Sequence, residues 1–160
     1  MLRTKKKNRQ HNATTIATWN LNGRLKEPSR QEELFMDMKW KKVDVAALQE
    51  TMWSHDATAT SGDGAVIINF KMSVDGYRGL AFYLSPKWAE RLTSIRVVNA
   101  RVVVARFKAF NPDKADLVMI NACGPTMMRA IENPEFTEAC YQQLSDAYNQ
   151  EKRAWSQQLS

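Results

Sequence analysis

The chain has 160 residues, 44% of them hydrophobic and 9% aromatic, which suffices for one core of ordinary domain size. No run reaches the roughly 18 apolar residues of a membrane span, and no apolar stretch follows the basic start, so neither a span nor a secretory leader is expected. The net charge of +6 is concentrated at one end: Arg3, Lys5, Lys6, Lys7 and Arg9 carry five of the charges, which leaves +1 for residues 11–160. Residues 1–12 are therefore expected to be a disordered basic tail that holds phosphates or serves as a nuclear address. Cys123 and Cys140, without a leader, fit reduced thiols in an intracellular protein rather than a zinc site.

Taken in chain order, residues 13–19 are rich in threonine and isoleucine and read as a strand. It ends in Trp19-Asn20-Leu21-Asn22-Gly23, where the asparagines either make a turn or face a ligand beyond the strand end. Ser29 and Glu32 have capping-box spacing and predict a helix start, with Leu34, Phe35 and Met38 on its apolar face. Residues 43–48 form a second strand, so the three elements make a βαβ unit with parallel strands. Small polar residues at 52–64 predict an exposed loop.

Five short strand candidates then follow in close succession: "AVIINF", "GLAFYLS", "LTSIRVV", "RVVVARFKAF" and "LVMINA". Turn signals at Asp75-Gly76, Ser85-Pro86, Asn99-Ala100 and Asn111-Pro112 separate them and favour antiparallel pairing. A last helix is predicted from Pro134 to Arg153, with Phe136, Cys140, Tyr141, Leu144 and Tyr148 at helical spacing. The expected organisation is a folded α/β domain over 13–153 with a mixed sheet and flanking helices, and a C-terminal tail over 154–160.

Asn20 and Glu50 each follow an apolar strand of the βαβ unit. Parallel neighbours would bring both to the sheet edge where open α/β sheets place ligands. One carboxylate with amide oxygens suits a hard cation such as magnesium.

The segments "IATWNLNG", "VDVAALQET" and "VMINACGPT" resemble, in order, the first three motifs of the endonuclease/exonuclease/phosphatase family. They look most like the apurinic-type endonuclease domains of non-LTR retrotransposons, and "GLAFYLSPKW" and "ENPEFTEACYQQL" add to the likeness over roughly residues 14–150. The resemblance implies the N-terminal half of a four-layered α/β sandwich, magnesium as cofactor and DNA as partner. It assigns Glu50 as the metal carboxylate and Asn20 to the metal and phosphate site, with Asn22, Asn121, Cys123 and Thr126 as neighbours of the phosphate. Asn22 stands where many relatives carry aspartate, and Cys123 where they carry tyrosine.

The chain contains no Asp-x-Asn triplet and no Ser-Asp-His ending, the motifs that the second half of that family supplies. His55-Asp56 has the reverse order and reads as loop. A site lacking the positioned base and histidine forfeits a factor of about 10² to 10⁴ in rate, so no cleavage is expected from the chain alone. The second half also supplies the second sheet. An uncovered apolar sheet face is thus expected here, suited to self-association or a complementing chain. A nucleic-acid-binding remnant working through its basic tail is the other reading.

Overall fold

The computed structural model describes residues 13–71, 79–111 and 114–158. The basic tail at 1–12 and the Asp75-Gly76 turn lie outside the described residues.

Strand β1 (Ile16–Asn20) leads through a 3-10 turn (Arg24–Lys26) into helix α1 (Pro28–Trp40). The expected capping box does not form: the helix begins at Pro28 with Glu27 as its N-cap, and Ser29 lies inside the first turn. Proline sets this start because its φ is already helical and it has no N–H to satisfy. Leu34 and Met38 are buried and Phe35 packs beside them, as the spacing predicts. Strand β2 (Val45–Gln49) then pairs in parallel with β1, Ile16 opposite Val45 and Asn20 opposite Gln49, so the βαβ unit forms.

The exposed loop expected over 52–64 is interrupted by strand β3 (Ala57–Thr60). Its alternating threonines are β-branched and favour extended backbone, and β4 (Val66–Lys71) offers an edge on which to pair. Strand β5 (Gly79–Leu84) completes a five-stranded sheet of order β1-β2-β5-β4-β3, antiparallel except for β1 and β2.

At Ser85-Pro86 the chain turns through the short helix α2 (Pro86–Ala89). Strands β6 (Leu92–Asn99), β7 (Val102–Phe107) and β8 (Leu117–Ala122) form a separate three-stranded antiparallel sheet. Helix α3 (Met127–Glu132) was not foreseen in the sequence. Helix α4 (Pro134–Gln158) runs past Arg153, so residues 154–158, expected as tail, are helical.

These elements stack in four layers. The α1 side of the five-stranded sheet buries Leu21, Leu34, Met38, Ala46, Leu48, Ile67 and Tyr83. The opposite face packs Val45, Ala47, Phe82 and Leu84 against Val103, Ala105 and Phe107 of the second sheet. The uncovered sheet face expected from the resemblance is therefore absent from the five-stranded sheet, because β6–β8 cover it themselves. Alternation along β7 explains this: Val103, Ala105 and Phe107 point inward, and Arg106 points out to α4, where Glu151 pairs with it and with Arg96. On α4 the inward stripe is Phe136, Cys140, Leu144, Ala147 and Glu151, whereas Tyr141 and Tyr148 face outward. Exposed apolar side chains are found on the helices, at Met36, Trp40, Met127, Met128, Ile131, Tyr141 and Tyr148, and also at Ile16 on β1 and Val97 on β6. Among the described residues, no helix is long and apolar enough to cross a membrane.

Candidate functional site

Register places the C-terminal ends of β1, β2 and β4 and the start of β5 on one edge of the five-stranded sheet. Asn20 ends β1, and Glu50 is the residue after β2. The two loops leaving these strands are joined by main-chain hydrogen bonds, Leu21 N to Gln49 O at 2.9 Å and Gly23 N to Glu50 O at 2.7 Å. Asn22 (φ 47°), Glu50 (φ 52°) and Met52 (φ 51°) are all left-handed here. Such backbone costs a non-glycine residue of order 1 kcal/mol, and residues held in it cluster at ligand sites. Gly23, at φ 85°, adds a fourth left-handed position, and a Cβ there would lie 2.6 Å from Met52 Sδ. The two loops thus lock each other.

Of the residues foreseen in the sequence, Asn20, Asn22, Glu50 and Asn121 lie at this end of the sheet, and several already serve the chain. Asn20 Oδ1 accepts from Asn22 N at 3.0 Å, so the amide makes the turn and leaves its NH₂ group for a ligand. Asn121 is buried and bolts the two sheets together: its Nδ2 donates to Leu48 O (3.0 Å) and Ala81 O (2.8 Å), and its Oδ1 accepts from Gln49 Nε2 (2.7 Å). Thr126 is the N-cap of α3, accepting from Arg129 N at 3.4 Å. Cys123 is half-buried beside the inter-sheet core. Glu50 is half-exposed at the rim. Beside Asn22 and Gly23 an open groove of about 370 Å³ is bounded by Lys26, Glu27 and Arg30.

Sequence reasoning passed over four residues of this edge. Gln49 links Thr18 (3.3 Å) to Asn121, and Thr51 Oγ1 donates to Asn69 Oδ1 at 2.6 Å. Asn69, buried in β4, donates in turn to His55 O at 2.8 Å. The available signal was a polar residue at an inward position of an otherwise apolar strand, as at Gln49 and at Asn69 in "VIINF". His55-Asp56, read in the sequence as loop with the motif order reversed, stands on this same edge, just before β3 begins.

Glu50 brings one carboxylate, and the neighbouring amide oxygens of Asn20 and Asn121 are already engaged. Among the described residues, no three of His, Cys, Asp or Glu group as a metal cage would require. This donor set fits only a weakly held magnesium that keeps most of its water.

No protein-family profile matches the chain, and no curated protein matches it. Among solved structures, it is similar to the AP endonuclease LMAP from Leishmania major, with 20% identity and a TM-score of 0.51. The match covers 70% of this chain and 40% of that one, so the chain spans well under half of its structural neighbour. At this identity the likeness establishes the fold: part of an AP endonuclease-like α/β sandwich.

Proposed function

We propose that this chain is a DNA-directed domain of the AP endonuclease type, corresponding to the N-terminal part of a retroelement nuclease. In this reading the edge at Asn20 and Glu50 meets the phosphodiester backbone, and the isolated chain binds without cutting. The observation that carries the reading is the pair of interlocked left-handed loops that hold Asn22, Glu50 and Met52. Non-glycine residues held left-handed cluster at ligand sites, and three of them stand together here. The Asn20 amide would donate to a phosphate oxygen, and Glu50 would hold magnesium through its carboxylate. Magnesium, when bound, would neutralise charge on the phosphate. Activation of water would then fall to a base that Asn22, a neutral residue, does not provide.

The test is a nicking assay with the purified chain on supercoiled and abasic-site DNA, with magnesium or manganese, beside a binding measurement across salt concentrations. Salt-dependent binding without nicking is expected, the same for parent and Glu50→Gln in the nicking assay. Nicking by the parent that disappears in Glu50→Gln would overturn the inactive reading, and a failure to bind DNA would overturn the DNA-directed one. The concentration of five basic residues within positions 3–9 favours a second reading, in which the tail alone grips the backbone. A chain starting at Thr14 that binds as well as the parent would rule that reading out.

A further inference from the structure

The segment from Thr51 to Asp56 is fastened unusually well for a surface loop. Thr51 and Asn69 are both buried, and the chain of bonds from Thr51 Oγ1 through the Asn69 amide to His55 O ties the loop's two ends to β4. Gly79 opposite is as closely fitted, since a Cβ there would fall 2.0 Å from Thr51 Oγ1. On the outer side, Asp56 Oδ1 accepts from Lys71 N at 2.6 Å. What this scaffold presents to solvent is His55, exposed, with the Trp53 ring edge-on at 6.0 Å. His55 Nδ1 lies 3.2 Å from Ser54 Oγ. If the serine hydroxyl donates to Nδ1, the imidazole proton sits on Nε2, as a donor free to point away from the protein.

Position along the edge decides what that donor can reach. Asn69 lies on β4, two strands from β2, and Ala57 on β3, three strands away. At about 4.8 Å per strand, His55 stands roughly 10 to 15 Å from the end of β2. That is too far to share one phosphate with Glu50, and it corresponds to an axial rise of three or four nucleotides at about 3.4 Å each, so the two contacts fall on different phosphates. We propose that His55 is a DNA-binding residue that donates from its imidazole to a backbone phosphate flanking the one held at Asn20 and Glu50, with Asn69 as its positioning residue. This inference rests on the DNA-directed reading of the same edge, and it adds a contact point and a footprint.

The test is fluorescence anisotropy of a labelled duplex carrying an abasic-site analogue, titrated with the full chain and its variants without added metal. His55→Ala removes the imidazole donor at an exposed position and leaves the fold intact. It should weaken binding about threefold to tenfold, the range of one hydrogen bond. His55→Lys, which restores a phosphate donor, should bind at least as tightly as the parent. Lys108→Gln, past the end of β7 at the opposite edge, serves as the control for bulk charge and should change binding little. Unchanged binding in His55→Ala, or equal losses in His55→Ala and Lys108→Gln, would overturn the assignment while leaving the DNA-directed reading standing. A parent chain that does not bind the duplex would overturn both.

Discussion

At Glu50 a glutamate occupies backbone that glycine would adopt without strain, φ 52°. The direct consequence is a reversal of the usual rank of glycine and alanine. In most positions alanine is the more stable choice, but here Glu50→Gly should exceed Glu50→Ala by about 1 kcal/mol, because only glycine escapes the Cβ clash. Urea denaturation of the two variants measures this, and equal midpoints would mean that the loop relaxes. Asn20 shows how much of the site was legible and where legibility stopped. Two roles were open for it in the sequence, turn former and ligand contact, and its Oδ1 takes the first while its NH₂ remains for the second. Asn121 could not be read as a bolt, because its partners Gln49, Leu48 and Ala81 lie 40 to 73 residues away and only the fold brings them near.

Among the elements, α4 is held by one ionic contact as well as by its apolar stripe. Glu151 is buried and takes Arg96 at 2.7 Å and Arg106 on its two oxygens. Glu151→Gln should destabilise the protein by about 2 to 3 kcal/mol. That is below the range for a fully buried pair, since both guanidiniums remain partly exposed to water. Chemical denaturation gives the size, and faster proteolysis within α4 would show that the loss is felt at that helix. Helix α1 was legible from the spacing of Leu34, Phe35 and Met38, and β2, β5 and β7 from unbroken apolar runs, as strands buried on both faces require. β3 was not, since "ATAT" is small and polar, and its strand state comes from the neighbour it pairs with. The face of α4 was misjudged at Tyr141 and Tyr148, whose amphipathic rings lie outward at the same spacing that a buried stripe would show.

For the molecule as a whole, the decisive feature is that one chain of modest length makes both sheets. The strand candidates after residue 64 were legible one by one, but not their division into two sheets. That division follows from the break at Ser85-Pro86 and the inward row Val103, Ala105 and Phe107. The polar bolt at Asn121 secures the inter-sheet packing at the end that carries the candidate site. Asn121→Ala removes three hydrogen bonds, two of them buried, and should lower stability by about 2 to 3 kcal/mol in equilibrium unfolding. A loss under 1 kcal/mol would mean that apolar packing alone holds the sheets.

The bolt also has a place in time. Its partners lie 40 to 73 residues away in the chain, so forming it requires long loops to close. Removing it should hasten unfolding and leave the refolding rate nearly untouched. A partly refolded chain is therefore expected to have its strands before it has the Asn121 bolt that stands beside the Asn20–Glu50 edge.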